Sequence, residues 1–286
     1  MPPVALGPNQ PATFYRGSRS MLRKAASRPE PLAWLGPAHV ALHGTDPALL
    51  VKLLDAGQRL PVHVHPDRPF ALAHLASPYG KTEAWIVLDA APGASVHLGF
   101  TRDVAAGELA AWVSAQDVAA LLGATNQVQV HAGDAILCPA GMPHAIGRDV
   151  LLVELQEPTD FSVLLEWDGF PLGPDDATLG LPFEEALACV DRRACSPSRL
   201  AELSRRSPGS LLPAEAGQFF TAESVTGEVL SAGFAVLIVI GGSGALSGEW
   251  GTLPVSRGST VVVPFDAGPC RLSGVDVGAI CCRPAL

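Results

Sequence analysis

Short apolar runs separated by glycine- and proline-rich turns constrain this chain more than any other feature of its sequence. "KTEAWIVLDA" and "ASVHLGFT" are two strand-like runs that meet at the turn signal "APGA". The 286 residues include 29 Gly and 26 Pro, and 48% of them are hydrophobic. Such a chain is long enough to bury a large core, and its many turns are typical of short strands. We therefore expect a mainly β protein built from antiparallel hairpins.

A second β-rich block near the C-terminus repeats the plan of the first. "VHAGDAILCPAGMPHAI" and "VSRGSTVVVPFDAGPCRL" both place a glycine–polar turn before an apolar run, a proline and another glycine. The similarity favours two related antiparallel barrels, of which the second contains no histidine. Residues 101–122 interrupt the first block, because apolar residues such as Leu109 and Trp112 follow helical spacing there. We predict one or two short helices in that insertion.

Composition shifts along the chain divide it into four predicted parts. The first residues are rich in Pro, Arg and Ser, and "DGFPLGPDDATLGLP" is typical of a linker. The predicted parts are an irregular N-terminal arm over 1–30, a first barrel over 31–168 that carries the helical insertion, a linker with short helices over 169–206, and a second barrel over 207–286.

The distribution of charge argues against a nucleic-acid partner. The net charge is −9, and the 19 basic residues are spread along the chain rather than gathered in a stripe. The longest basic cluster runs from Arg16 to Arg28, and we interpret it as a solvated part of the arm.

The sequence also predicts a cytoplasmic protein that does not enter a membrane. "MPPVALGPNQPATF" lacks the basic start and apolar block of a secretory leader, and "GFAVLIVIGG" is too short to cross a bilayer. None of the six cysteines forms a CxxC pair, so we expect them to be reduced and mostly structural.

A histidine pair is the strongest chemical signal in the sequence. Alternation along a strand sends His63 and His65 to one face, just before Pro66 ends the strand. Glu83 lies in the next strand-like run, and His144 follows the "PAGMP" turn. Three imidazoles and a carboxylate inside one barrel form a donor set for Zn²⁺, Fe²⁺, Mn²⁺ or Ni²⁺. The other histidines are interpreted as structural or surface residues, namely His39, His43, His74, His97 and His131.

These segments resemble a known family in order and spacing. "LLVKLLDAGQRLPVHVHPD", "YGKTEAWIVLDA" and "VHAGDAILCPAGMPHAIG" resemble the three motif blocks of class I mannose-6-phosphate isomerases, and "DVLLVELQEPTDFSVLLEW" resembles the strand that follows them. The resemblance extends over residues 47–168 and is weak in the C-terminal block. It implies a bicupin, which consists of two antiparallel jelly-roll barrels with a small helical insertion.

The resemblance also implies a reaction and a set of site residues. The family interconverts an aldose 6-phosphate and a ketose 6-phosphate by moving a proton between C1 and C2, with one zinc ion per chain. The metal ligands implied are His65, Glu83 and His144, with His63 as a fourth ligand where the family usually has Gln. Lys52, Lys81 and Glu154 match family residues of the active-site region. The general base is Glu154 or a lysine of lowered pKa.

A second departure from the family concerns positive charge. Leu164 stands where the family places an arginine, and leucine offers no group that binds a phosphate or a developing oxyanion. Either Arg148 supplies the charge from another direction, or the substrate lacks a phosphate, or the chemistry differs.

Three functional hypotheses follow from these residues. The first is a metal-dependent aldose–ketose isomerase that acts on mannose 6-phosphate or a related sugar. The second is a catalytically altered bicupin that binds a sugar or sugar phosphate as a sensor. The third is a cupin enzyme of different chemistry, such as an epimerase, lyase or oxygenase. The partner that we expect is a small-molecule sugar or sugar phosphate, and the expected state is a monomer or small homo-oligomer.

Overall fold

A computed structural model describes residues 2–6, 46–204 and 206–285, and antiparallel sheets dominate it. The mainly β prediction is confirmed. The strands are β1 Val4–Ala5, β2 Leu50–Asp55, β3 His63–Val64, β4 Glu83–Ala90, β5 Ser95–Phe100, β6 Thr125–Gln129, β7 Ala135–Cys138, β8 His144–Ile146, β9 Val150–Gln156, β10 Val163–Leu164, β11 Phe220–Val225, β12 Val229–Leu230, β13 Ala235–Gly248, β14 Gly251–Ser256, β15 Thr260–Val263 and β16 Cys270–Pro284.

Short helices connect the strands. They are α1 Arg68–His74, α2 Ala106–Ala115, α3 Val118–Ala124, α4 Phe183–Leu187 and α5 Pro197–Leu203, with 3₁₀ turns at Pro174–Asp176 and Ala214–Gln218. Helices α2 and α3 lie between β5 and β6, where the sequence predicted a helical insertion. The left-handed backbone of Gln116 (φ 50°) ends α2, and the Asp117 side chain caps α3 by accepting from the amide of Ala120.

Two of the sheets face each other across the histidine region. One has the strand order β2-β9-β4-β7 and the other the order β10-β3-β8-β5-β6. Buried polar side chains come from both: His63 and His144 from the five-stranded sheet, and Glu83 and Glu154 from the four-stranded sheet. The space between these two sheets therefore holds the polar groups that the sequence singled out.

The opposite face of the four-stranded sheet packs on a third sheet. That sheet has the order β1-β15-β13-β16-β11, with β12 paired to β16 and β14 paired to β13. Ile86 and Val153 belong to the same buried cluster as Ile238 and Ile280, so the two sheets share one core. This core supports β4 and β9 from behind while their other face is turned to the polar groups.

The first described residues of the predicted N-terminal arm include a short strand. Val4 and Ala5 form β1, which pairs with Val262 and Val261 of β15, because an edge strand of the third sheet offers unpaired backbone groups there. The rest of the arm lies outside the described residues, as do the basic cluster, His39 and His43.

No helix in the described segments is long and apolar enough to cross a membrane. All six cysteines are free thiols, and all but Cys189 are buried.

We predict that Gly80 is required for the turn that follows the histidine pair. A Cβ at this position would lie 2.6 Å from the carbonyl oxygen of Pro66 and from the carbonyl carbon of Asp67, both of which are backbone atoms. Gly80→Ala should therefore lower the free energy of unfolding by about 2 kcal/mol, as other overpacked sites do. Urea unfolding monitored by circular dichroism measures the change.

Gly123 provides the matched control. A Cβ on this α3 residue would meet nothing within 4 Å. Gly123→Ala should raise the free energy of unfolding by about 0.5–1 kcal/mol through helix propensity. Equal effects of the two substitutions would contradict the packing described for Gly80.

Candidate active site

Three imidazole rings meet between the two facing sheets. His63 and His144 are directly opposite each other on β3 and β8, and opposite residues of an antiparallel pair project to the same face. The His63 ring centroid lies 4.1 Å from that of His144 and 4.9 Å from that of His65. The His65 and His144 centroids are 4.8 Å apart, and all three residues are buried. The arrangement brings the His-x-His pair and the distant third histidine together.

Backbone carbonyls orient all three rings in the same way. Each Nδ1 lies within hydrogen-bond distance of a carbonyl oxygen: His63 with Pro61 at 2.8 Å, His65 with Phe161 at 2.7 Å, and His144 with Met142 at 2.9 Å. A neutral imidazole that donates through Nδ1–H carries its lone pair on Nε2. The three Nε2 atoms are thereby prepared to act as ligands, since such contacts to the other ring nitrogen orient metal-binding histidines in proteins.

Glu83 brings a carboxylate against two of these lone pairs. Its Oε2 lies 3.2 Å from Nε2 of His65, and its Oε1 lies 3.2 Å from Nε2 of His144. Among the described residues, neither Glu83 Oε2 nor His144 Nε2 has a hydrogen-bond partner. Where the His144 ring is neutral with its proton on Nδ1, its contact with Glu83 sets two buried acceptors against each other, which is costly unless a cation lies between them.

Contacts at the start of β4 hold Glu83 in place. Glu83 opens the strand opposite Gln156 of β9. The amide of the preceding Thr82 donates to Glu157 at 2.8 Å, and Arg68 Nε donates to the same carboxylate at 2.6 Å. This bridge ties α1, which follows the histidine pair, to the start of β4 and the end of β9.

The pKa values reflect burial and crowding of charge. Burial, reinforced by the charges of neighbouring histidines and of Lys81, holds the pKa of His63 well below its usual value, and burial beside Lys81 lowers the pKa of His65 to about 3. Burial alone would raise the pKa of Glu83, but His65 and Lys81 outweigh it and hold that pKa well below its usual range. At neutral pH His63 and His65 are therefore neutral, and Glu83 is ionised.

A lysine–glutamate pair lies on the same sheet face as Glu83. Lys52 of β2 is directly opposite Glu154 of β9, and Glu154 is opposite Trp85 of β4. Lys52 Nζ lies 3.6 Å from Glu154 and 3.1 Å from Asp160. Burial alone would lower the pKa of Lys52, but these two carboxylates outweigh it and raise that pKa. Burial, together with the charge of Glu83, raises the pKa of Glu154.

Lys81 is buried directly against the cluster. Its Nζ lies 3.0 Å from Nε2 of His65 and 3.6 Å from Oε2 of Glu83. Burial is the main cause that lowers the pKa of Lys81, and the charge of Lys52 adds to it. The site thus favours the protonated form of Lys52 and disfavours the protonated form of Lys81.

Two residues of the site were missed by sequence reasoning. Cys138 Sγ lies 3.3 Å from His144 Nδ1, and the indole Nε1–H of Trp85 donates to Glu83 Oε1 at 3.0 Å. Trp85 could have been found, because it is two residues from Glu83 and so shares its face. Cys138 shares that face because it is opposite Glu83 on β7, which is a register that no local pattern reveals.

The sequence left open whether Arg148 supplies the positive charge that is missing at Leu164, and these two residues lie in different surroundings. Leu164 is opposite His63 on β10 and is buried, so it presents an apolar side chain beside the histidines. Arg148 is 71% exposed, pairs with Asp149 at 3.2 Å, and precedes the end of β9 that is remote from Glu154. The structure does not bring Arg148 to the cluster.

The remaining described histidines lie apart from the cluster. His74 pairs with Glu185, exposed His131 pairs with Asp134, and His97 is within 2.9 Å of the Thr125 hydroxyl.

Two overlapping groups of side chains in the cluster could hold a metal ion. The first consists of His63, His65 and His144, and the second of Glu83, Cys138 and His144.

We predict that the metal-free protein loses stability between pH 7 and pH 5. The folded pKa values of His63 and His65 lie below the unfolded value of about 6.5, so in this range the unfolded chain binds more protons than the folded chain. Stability is therefore greatest above pH 6.5 and falls as the pH drops, by about 2 kcal/mol per histidine at pH 5. Urea unfolding at pH 7, 6 and 5 measures this loss.

Two variants test whether the loss of stability at low pH comes from the histidine cluster. His63→Gln should remove about half of it, since one buried imidazole is gone, whereas His131→Gln should leave it unchanged because that side chain is 77% exposed. A stability that is the same at pH 7 and pH 5 would show that the buried histidines do not behave in this way.

Comparison with known proteins agrees with the motif resemblance. The chain is 35% identical over 145 residues to a mannose-6-phosphate isomerase of Streptococcus mutans, a match that covers 49% of this chain and 44% of that protein. It is 25% identical over 239 residues to a mannose-6-phosphate isomerase of Bacillus subtilis, covering 82% and 74% respectively. The first match thus spans less than half of the relative's length. No family model matches the chain.

Solved structures of such enzymes share the fold. The mannose 6-phosphate isomerase of Bacillus subtilis superposes with a TM-score of 0.73 at 20% identity, over 99% of this chain and all of that one (100%). A point mutant of phosphomannose isomerase from Salmonella typhimurium gives a TM-score of 0.62 at 18% identity, over 94% and 86%. The low identities indicate distance within a common fold. The sequence matches thus make the chain similar to mannose-6-phosphate isomerases at the level of a distant relative.

Proposed function

We propose that the chain is a metal-dependent aldose–ketose isomerase that interconverts mannose 6-phosphate and fructose 6-phosphate or a closely related pair of sugars. One observation carries the proposal: the imidazole and carboxylate acceptors that converge on one point lie beside an ion pair between half-buried Lys52 and buried Glu154. That combination places a candidate metal site next to a candidate proton carrier, in a chain whose relatives bear the name of this reaction.

The donor set fits a divalent metal ion. We infer that His63, His65, Glu83 and His144 hold one ion per chain, because their Nε2 and carboxylate atoms converge and Glu83 Oε2 and His144 Nε2 lack partners in the described chain. Nitrogen and carboxylate donors suit zinc, although iron, manganese and nickel accept the same ligands. When bound, such an ion polarises a sugar carbonyl as a Lewis acid and favours the enediolate.

Glu154 is the proposed proton carrier between C1 and C2. A general base works best when its pKa lies near the working pH, and burial beside Glu83 raises the pKa of this carboxyl in that direction. Lys52, whose own pKa is raised, stays charged and holds the Glu154 side chain by their ion pair. In this assignment Lys81 positions His65 and Glu83, and it does not accept the substrate proton.

Buried walls around the site would exclude water from the reacting carbons. Trp85 is fully buried, and Leu164 covers the His63 side of the site. A dry site strengthens the electrostatic interactions within it and protects an enediolate from side reactions.

Leu164 favours a second candidate substrate within the same reaction. Because no cation occupies its position beside His63, an unphosphorylated aldose such as mannose could enter that end of the site. Comparison of kcat/KM for mannose and mannose 6-phosphate distinguishes the two substrates. A higher value for mannose 6-phosphate favours the first, and Leu164→Arg should then raise it further.

The finer architecture forms part of the proposal. We infer two jelly-roll barrels of the cupin type, the first formed by residues 31–168 and the second by 207–286, joined by the linker at 169–206. The support is that the first contains all the polar groups of the site, and the second contains none of the chain's eight histidines. A cytoplasmic location and a monomeric or small oligomeric state belong to the same proposal, and size-exclusion chromatography with light scattering tests the latter.

We predict that the purified protein contains about one divalent ion per chain, which a chelator removes. Glu83→Gln keeps the shape of the side chain but loses the charge between His65 and His144, so metal affinity should fall by at least about 100-fold. Plasma mass spectrometry measures ion content, and thermal unfolding with and without added zinc gives a readout that is independent of activity.

A histidine outside the cluster is the control for this experiment. His97→Gln alters a half-buried imidazole and should retain the ion and the zinc-dependent rise in unfolding temperature. Equal ion content in Glu83→Gln and His97→Gln would contradict the proposed ligand set.

We predict that Glu154→Gln lowers kcat by about 10²–10⁴ while leaving ion content unchanged, since it removes the proton carrier but no ligand. Formation of fructose 6-phosphate measures the rate, and uptake of deuterium from D₂O at C1 or C2 reports proton transfer directly. Wild-type protein should show both, and a sensor would show sugar-induced stabilisation with neither.

Lys81→Met separates the two candidate bases. It should raise KM or reduce metal content, and it should leave the acid limb of the pH–rate profile in place, whereas Glu154→Gln should abolish that limb. If Lys81→Met removes the limb and Glu154→Gln keeps it, the roles assigned to the two residues are reversed.

A further inference from the structure

A second cavity lies on the opposite face of the four-stranded sheet from the histidine cluster. It has a volume of about 350 Å³ and opens between this sheet and the third sheet. Its floor includes Leu53 of β2 and Ile86 of β4, whose strand neighbours Lys52 and Trp85 face the histidine side. The cavity is thus separate from the proposed active site, and its volume is within the range of small-molecule pockets.

The walls of this inter-sheet groove are apolar. Leu211, Ile238, Ile240 and Ile280 contribute to them. Ile240 is 38% exposed, so this apolar wall is open to solvent on one side. A ligand with an apolar body would cover this surface.

Two arginines at the groove have no acidic partner in the described chain. Arg206 and Arg257 both line the cavity and are exposed, and neither forms an ion pair with any described residue. A terminal nitrogen of Arg206 reaches to 3.8 Å from where a Cβ on Gly133 would lie, which places the guanidinium at the groove wall. Asp89 also lines the groove, so two positive charges oppose one negative charge and a single anionic group is favoured.

A buried hydroxyl supplies an independent sign of a ligand. Thr260 lines the groove and is only 2% exposed, yet its Oγ1 has no hydrogen-bond partner among the described residues. Buried hydroxyls are normally satisfied, and an unsatisfied one costs free energy. A ligand with an acceptor group near Thr260 would satisfy it.

We propose that the inter-sheet groove is a binding site for a small organic monoanion, with an apolar body between the two sheets and a carboxylate, sulfonate or phosphodiester group on Arg206 and Arg257. The planar guanidinium groups match such oxyanions, and the apolar walls account for the rest of the ligand. This site does not depend on the isomerase proposal, because it shares no residue with the histidine cluster.

Two dyes with the same rings separate the anionic from the apolar contribution. 8-Anilinonaphthalene-1-sulfonate carries a sulfonate, and N-phenyl-1-naphthylamine is its uncharged counterpart. Fluorescence titration of the full chain should show saturable binding of the sulfonate dye at about one site per chain. The double variant Arg206→Gln/Arg257→Gln should weaken the sulfonate dye by about tenfold or more and the uncharged dye by less than about twofold.

Matched variants make the result decisive. Arg102→Gln/Arg193→Gln removes two exposed arginines elsewhere and should leave both dyes unchanged. Ser224→Trp places a large ring in the groove and should abolish binding of both dyes, while its thermal unfolding shows that the protein is folded. The proposal is overturned if the sulfonate dye does not bind, if both double variants weaken it equally, or if binding survives Ser224→Trp.

Discussion

The buried carboxylate of Glu83 is the interaction on which the site depends. An ionised carboxylate away from water is expensive unless cations or donors compensate it. Here Trp85 donates to one oxygen and Lys81 lies near the other, while His65 and His144 approach from the facing sheet with the Nε2 atoms that would share a cation with the carboxylate. Because the carboxylate comes from the four-stranded sheet and the imidazoles come from the five-stranded sheet and its edge, the complete donor set exists only when both sheets are assembled.

The register between paired strands fixes the relative positions of the site residues. His63 and His144 are opposite on one sheet, while Lys52, Glu154 and Trp85 form a row across the other. Residues in such a row project to one face at spacings set by the backbone, so their mutual positions do not depend on flexible loops. A site that needs a ligand set next to a proton carrier is well served by two facing sheets.

Much of the fold and of the site was predictable from periodicity, because alternation and turn residues are local signals. They placed the strands, the helical insertion and the shared orientation of His63 and His65. The position of Cys138 was not predictable, since it depends on the register between β4 and β7. The exposed position of Arg148 was not predictable either, because proximity in sequence to His144 does not show where the chain runs after β8. A residue that is close in sequence to His144 can still be at the far end of the next strand. Pairing of Val4 with the C-terminal sheet joins opposite ends of the chain and leaves no local pattern.

The four-stranded sheet has consequences for both of its faces. Its strands form a single layer, so consecutive residues face opposite sides. The polar site receives Lys52 and Trp85, and the inter-sheet groove receives the next residues, Leu53 and Ile86. Packed layers do not deform continuously, and a shift of β2 or β4 that improves packing on one side must move the groups on the other. A ligand in the groove would alter the polar site only if β2 and β4 had two conformations and the ligand bound one of them more tightly than the other. The shared buried core that joins the sheets opposes such a shift, and this rigidity keeps Glu154 and Glu83 in register across the same layer.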